Sequence, residues 1–475
     1  MVRRRSAAAA TGGGLMAGIG FELRRLAGRG DLMGIVQGYG HAAWVTSGPW
    51  LFTIVCLAGV VAVGMPVTTP AELATFRAIV VYNFAFSLIL SAAPAIVITR
   101  YLANCIYSKD LSQAAAVLPG GLALIWAATI PVAAPFYFLY VTADNATRLA
   151  AFVNLMLIAG IWLVNVFLTA LKNYRAITLS FAAGMATGAV SGALLAPYWS
   201  VAGMLAGFDV GLAMILFLLI ARIFAEYPGG ASQPFTFFPG FRRYWDLAVA
   251  AAAYQAAVWA DKLVMWTAPD REVLPSGFVL FPDYESAMFL AYLSMIPAIA
   301  AFTLTIETGF FESYQQFYGD IQHHATYSRI EANHRKIMES FGEGARNFLV
   351  LQGSISACAV LLAPQLFESL GIHFVQLAVF RMGIVGAFFH AGVLFLLIVL
   401  AYLDARRAVL WLSILFLAGN GLFTWVTVQL GFRYYGSGYL LSALVTFGCA
   451  FVACARRIGR LPFETFIRNN ASAQG

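Results

Sequence analysis

Charge is what this sequence of 475 residues has least of: Asp, Glu, Lys and Arg together make up 11% of it, against roughly a quarter in soluble domains. Hydrophobic residues make up 61% and the mean hydropathy is +0.79. A soluble globular chain is therefore excluded, and a polytopic membrane protein is expected. Cysteine is also scarce. The five (Cys56, Cys105, Cys358, Cys449 and Cys454) fall in or beside hydrophobic stretches without metal-ligand spacing. That pattern implies no disulfide framework and reads as small core residues. Lysine is rarer still: none of Lys109, Lys172, Lys262 and Lys336 follows a glycine, which excludes a phosphate-binding loop and an ATP-driven pump within one chain. No loop is large enough to hold a nucleotide-sugar domain, and the longest loop on the outer side, Ala268 to Asp283, has no histidine and no paired catalytic set. No enzyme and no cofactor are expected. His323, His324 and His334 lack a close cysteine or a second histidine pair, so no metal is expected and their stretch reads as a solvated polar loop.

The net charge of +7 has a distribution that argues against nucleic acid. Of the 29 Lys and Arg residues, 23 fall in alternate loops and the two termini, and only Arg77, Arg148, Arg271 and Arg433 fall in the opposite loops. This is the positive-inside bias, and it assigns both termini to the cytoplasm. The basic start, Arg3 to Arg5 followed by the short Gly-rich run Ala7 to Gly14, does not resemble a cleaved signal, and either Met1 or Met16 is the native start. Ile19, Leu23 and Leu26 share helical spacing within the stretch 1–39. It reads as a short amphipathic helix on the membrane surface or as a solvated basic anchor.

Runs of about 20 apolar residues span a ~30 Å hydrocarbon core as helices. Twelve such segments are expected: His41 to Gly64, Ala78 to Leu102, Ala115 to Val141, Leu149 to Leu171, Ile177 to Ala196, Val201 to Phe224, Tyr244 to Thr267, Tyr284 to Ile306, Asn347 to Leu370, Phe374 to Leu403, Ala408 to Leu430 and Gly436 to Ala455. Pro131 and Pro135 are expected to kink or shorten the third. The Pro/Gly-rich stretch 225–243 reads as a cytoplasmic linker. It divides the chain into six-helix bundles at 40–224 and 244–456, with a cytoplasmic insertion at 307–346 and a tail at 457–475. The halves echo each other: Ala93 to Ile96 reads Ala-Pro-Ala-Ile and Ile296 to Ile299 reads Ile-Pro-Ala-Ile, with the prolines 203 residues apart, which suggests a parallel repeat.

Gly184, Gly188 and Gly192 form a small-xxx-small run, and Gly203, Gly207 and Gly211 form another in the next segment; both read as helix-packing faces. In the insertion, Phe310, Tyr314, Phe317 and Ile321 have helical spacing and are expected to continue the eighth segment as an amphipathic helix. Its aromatic face is either a docking surface or a face lying on lipid headgroups.

Several stretches together carry a family resemblance: Met16 to Leu26 (Met-Ala-Gly-Ile-Gly-Phe-Glu-Leu-Arg-Arg-Leu), Thr46 to Trp50 (Thr-Ser-Gly-Pro-Trp), Trp259 to Lys262 (Trp-Ala-Asp-Lys), Ile306 to Glu312 (Ile-Glu-Thr-Gly-Phe-Phe-Glu), Tyr434 to Tyr439 (Tyr-Tyr-Gly-Ser-Gly-Tyr) and Leu461 to Phe466 (Leu-Pro-Phe-Glu-Thr-Phe). From Met16 to about Phe466 the chain resembles the PelG family of bacterial inner-membrane transporters of the Pel exopolysaccharide system. More broadly it resembles the multidrug/oligosaccharidyl-lipid/polysaccharide flippase superfamily. The resemblance implies an all-α membrane fold of two six-helix bundles about a central cavity. It also implies transport of a nascent, amino-sugar-rich polysaccharide that serves biofilm formation. The implied partners are PelF as glycosyltransferase, PelD as cyclic di-GMP receptor, and PelE.

The candidate pathway residues come from the physics of charge in apolar segments. Adjacent helical residues diverge by about 100°, so Asp261 and Lys262 are expected to seek separate partners. Lys262 shares a stripe with Gln255, Trp259 and Trp266, a basic and aromatic surface suited to stacking on sugar rings. Equally, it lies near enough to the outer end to snorkel to the headgroups. Asp261 shares a face with Tyr254, and is either neutralised structurally, with Arg381 as a partner, or exposed to a transport cavity. Asp209 and His390 are the other deep candidates, whereas Asp246, Glu307 and Glu368 lie at segment ends. His390 either couples transport to protons or hydrogen-bonds between helices. The function is thus read as polysaccharide transport, with a small-molecule or ion antiporter on the same architecture as the alternative.

Overall fold

The computed structural model describes residues 32–108, 114–170, 173–227, 233–299, 311–369, 371, 373 and 376–463. The expected surface helix around Ile19 to Leu26, the continuation of the eighth segment through 300–310, and Glu307 lie outside the described residues. The chain runs through α1 (Leu32–Gly64), α2 (Pro70–Ser108), α3 (Ala114–Pro135), α4 (Asn145–Ala170), α5 (Tyr174–Glu226) and α6 (Trp245–Met265), then the two-stranded hairpin β1 (Glu272–Val273) and β2 (Val279–Leu280). It continues with α7 (Pro282–Leu293), α8 (Phe311–Gln322), α9 (Tyr327–Leu361), α10 (Leu377–Tyr402), α11 (Arg406–Leu430) and α12 (Ser437–Gly459). Among the described residues seven helices are long and apolar enough to cross a membrane, or eight if α9 and the short helix after it, bent by 61°, count as one span. Helix α6 is not among them, because Gln255, Asp261 and Lys262 lower its hydropathy.

Local chemistry sets several of the ends. Thr69 and Glu72 form a reciprocal capping box at the start of α2: the Thr69 N–H donates to Glu72 Oε2 at 2.7 Å and the Glu72 N–H to Thr69 Oγ1 at 3.3 Å. Asp144 accepts the Thr147 N–H at 3.0 Å at the start of α4. Burial raises the affinity of this carboxyl for its proton, but hydrogen bonds from Thr147 and the local backbone outweigh that and hold it below the usual carboxylate range. Helix α3 stops at Pro135 and runs on as a π-helical turn, Phe136–Tyr140, because Pro135 has no N–H to continue the ladder. Helix α5 breaks at Trp199 and Ser200, where Ser200 takes φ 47°, and so contains two expected segments as arms that fold back on each other.

The chain forms two compact units, each discontinuous in sequence. The larger comprises Gly48–Ser286 with Val409–Gly438; the smaller comprises Met1–Ser47, Ala287–Ala408 and Tyr439–Gly475. In the larger unit, α4 packs on α2 and α5, and α6 lies along α2. The two arms of α5 meet backbone to backbone. A Cβ on Gly207 would collide with the backbone of Gly192, one on Gly211 would sit 2.7 Å from Gly188 Cα, and one on Gly203 would strike the backbone at Leu195. Small residues allow this approach where lipid supplies no hydrophobic drive for helices to associate.

The hairpin joins this core. Leu274, Phe278 and Leu280 are buried with side chains from α2 to α5. Gly277, at φ +86°, makes the turn, a conformation that favours a residue without Cβ. Thr142 donates its N–H to Ser276 O at 3.2 Å and its hydroxyl to Pro275 O at 2.8 Å. The hydroxyls of Thr75 and Ser276 lie 3.0 Å apart, and Tyr82 donates to Val279 O at 2.9 Å. The connections after α1, α3, the first arm of α5 and α6 gather at one end around a cavity of about 290 Å³, bordered by Glu72, Asp144, Trp199 and Ser276.

In the smaller unit the described part of the insertion holds the expected helix at Phe311–Gln322 and, after an exposed turn at His323 and His324, a second helix that takes in His334 and corrects the solvated loop expected there. Helices α8 and α9 form a pair in which Asp320 accepts from Arg329 at 3.0 Å and from Asn333 at 2.6 Å. Phe317 is fully buried. His334 is buried too, with Nε2 2.8 Å from the Ile458 carbonyl of α12. The buried positions Ile330, His334, Ile337, Gly344 and Phe348 follow helical spacing, so the polar character of this stretch belongs to one face of a helix. Deeper in the unit, Met295, Ala298, Phe348, Ala387 and Ala391 form a small core. The cysteine expectation also needs correcting: Cys56 and Cys454 are buried, but Cys105 is half-buried and Cys358 and Cys449 are exposed.

Candidate functional site

Helix α6 places Asp261 and Lys262 inside the larger unit, 0% and 8% exposed. They pair with each other. The Lys262 ammonium donates to Asp261 Oδ1 at 3.1 Å and Oδ2 at 3.0 Å, and to the Val258 carbonyl one turn back at 3.2 Å. This overturns the expectation of separate partners. The 100° divergence holds for the Cα–Cβ bonds, but the unbranched lysine stem folds back across the interval. Burial likewise overturns snorkelling, and the positive charge at the Asp261 carboxylate is that of Lys262. Arg381 is exposed on α10 in the smaller unit.

Two further groups orient the carboxylate. Tyr284, fully buried on α7, donates its hydroxyl to Oδ2 at 2.9 Å, and Asn420 on α11 donates to Oδ1 at 3.3 Å and to the Ala257 carbonyl at 2.8 Å. The Trp259 ring lies 5.8 Å from the ammonium, within cation–π range. Its indole N–H is buried with no hydrogen-bond partner among the described residues. Taking two charges out of water is costly, and such a pair is retained only when good geometry and further hydrogen bonds offset that cost. Both conditions are met here.

The other expected residues are distributed as follows. Trp266, at the end of α6, stacks on Tyr82 with centroids 4.2 Å apart and donates to Glu285 at 2.6 Å, so its face is covered by protein. Glu285 lies within electrostatic reach of both Lys262 and Asp261. Tyr254 packs against Phe416, and Gln255 is half-buried on α6. Asp209 lies in the second arm of α5 and accepts from Asn154 at 2.6 Å. Asn154 in turn accepts from Asn83 at 2.9 Å, and Asn83 accepts from the buried hydroxyl of Tyr137. Asp209 also borders an open groove of about 550 Å³ lined mostly by aliphatic side chains, among them Leu149, Val153 and Val210. In the smaller unit, His390 is buried with Nδ1 2.8 Å from the Tyr439 hydroxyl. Among the described residues no group of three His, Cys, Asp or Glu side chains is placed to hold a metal.

Residues 16–466 match the PelG family model, that of an exopolysaccharide exporter (EPS-E). The chain belongs to the PelG family. No curated protein sequence matches it. Among solved structures, this PelG-family chain is similar to a multidrug resistance MATE family transporter of the MOP superfamily in its outward-facing conformation, with 16% identity, a TM-score of 0.64, and coverage of 89% of this chain and 96% of that one. The same description in the inward-facing conformation gives 15%, 0.63, 89% and 99%. A MOP superfamily transporter from Pyrococcus furiosus, described as having a binding pocket of reversed polarity, gives 15%, 0.65, 94% and 98%. At such identity the likeness establishes the transporter fold. The PelG-family chain brings Trp259, Asp261 and Lys262 into one cluster and adds Tyr284, Asn420 and Glu285, which sequence reasoning missed, as it missed Asn83, Asn154 and Tyr137 beside Asp209. A search for neutral amides inside apolar segments would have found Asn83, Asn154 and Asn420.

Proposed function

We propose that this chain carries a growing exopolysaccharide across the bacterial inner membrane, as an alternating-access or channel-like carrier of the flippase type. The observation that supports this reading most directly is the PelG family match over residues 16–466. The geometry fits a carrier: among the described residues, buried polar groups on the helices bind one another, as at Asp261–Lys262. By the positive-inside bias, the termini, the 225–243 linker and the 307–346 insertion face the cytoplasm, and the β-hairpin faces outward. PelF would supply the polymer from the cytoplasm, with PelD and PelE as further partners.

Deleting the chain and assaying polysaccharide on each side of the membrane tests the reading. Polymer accumulating inside supports transport; loss of all synthesis points to an enzyme or an obligate assembly partner. Efflux of small molecules driven by a cation gradient, with secretion unchanged, would favour the antiporter. Asp261→Asn is expected to impair export while the protein reaches the membrane at wild-type level, and normal secretion by that variant would remove the carboxylate from the transport path.

A further inference from the structure

We infer that Lys262 is a tethered cation: it occupies a site in the larger unit that is built for a primary ammonium, and so keeps a dissociable cation from Asp261. The observation is the set of acceptors around the ammonium. A group with three N–H donors, it has among its partners three protein oxygens, Asp261 Oδ1 and Oδ2 and the Val258 carbonyl, at 3.0 to 3.2 Å, with the Trp259 ring to one side. The framework does not depend on the lysine stem. Tyr284 and Asn420 orient the carboxylate from two other helices, and Val258 O is fixed by the backbone of α6. Removing the stem therefore leaves the acceptors aimed at a vacancy of the size of a small alkylammonium. With Lys262 in place the carboxylate is already balanced at 3.0 Å, and an external cation would have to displace a group held at high effective concentration by its own backbone.

The test uses the purified full-length protein in detergent and needs no polysaccharide, so its failure is distinct from failure of the transport reading. Thermal melting is followed for wild type, Lys262→Ala and the double variant Asp261→Asn/Lys262→Ala while methylammonium chloride is titrated to tens of millimolar, with tetramethylammonium chloride as a cation without N–H donors. Lys262→Ala is expected to gain about 3–6 °C with methylammonium, saturably, and little with tetramethylammonium. Wild type and the double variant are expected to stay level. Indifference of Lys262→Ala to methylammonium overturns the inference, as does an equal response of wild type. Lys262→Met keeps the volume of the stem and is the companion if the alanine variant does not fold. It is expected to melt below wild type and to recover most of that loss when Asp261→Asn is added; absence of recovery overturns the inference as well.

Discussion

Asp261 and Asp209 are buried carboxylates of the same unit, and they are held in opposite ways. Asp261 receives an ammonium, a phenol and an amide, and is balanced within its own helix. Among the described residues Asp209 receives one amide, the last of a series of neutral donors, and one side of it borders an aliphatic groove. Two acids in apolar helices are therefore not equivalent. The first is half of a neutral pair whose cost of burial is met internally, and the second relies on dipoles.

The largest expected break in this contrast is at Lys262. Lys262→Ala leaves a buried carboxylate without its counter-charge and should destabilise the protein by about 3–5 kcal/mol, read as a fall in melting temperature; a negligible fall would mean that water already reaches the pair. Next comes Tyr284→Phe, which removes a hydrogen bond to a charged group and should cost about 1.5–3 kcal/mol. Unchanged unfolding in that variant would show Asp261 to be oriented by Lys262 and Asn420 alone. On the Asp209 side, Gly207→Ala drives a Cβ into the backbone of Gly192 and should cost about 1–3 kcal/mol through overpacking, checked by denaturation in detergent. The smallest effect is expected from Asp209→Asn, whose amide oxygen still accepts from Asn154, at about 1 kcal/mol or less. A loss as large as that of Lys262→Ala would put the two carboxylates in one class.

Much of the fold was legible in the sequence, since apolar length and proline chemistry are local. Each expected span coincides at least in part with a helix, the break at Trp199–Ser200 falls in the gap left between Ala196 and Val201, and Pro135 ends its helix. The site was legible only as a location. Asp261 and Lys262 stood out because charge in such a helix is rare, but their pairing was misread: a rule about the directions of short side chains does not bind a long flexible one. Tyr284 and Asn420 lie 23 and 159 positions from Asp261, and neutral polar groups hardly alter the hydropathy of an apolar run. His334 was misread for a related reason. A helix that buries one narrow face still reads as polar on average, and only the spacing from Ile330 to Phe348 reveals it.

The strapped β-hairpin has a consequence for synthesis. Leu274, Phe278 and Leu280 belong to the same core as Val60, Phe76 and Phe208, so the first five helices reach the membrane before the residues that complete their packing have left the ribosome. Asp261 waits longer still, until Asn420 has been made. The larger unit is thus assembled in two instalments separated by the whole stretch 287–408, and a chain interrupted within that stretch would leave a half-finished core for quality control to find.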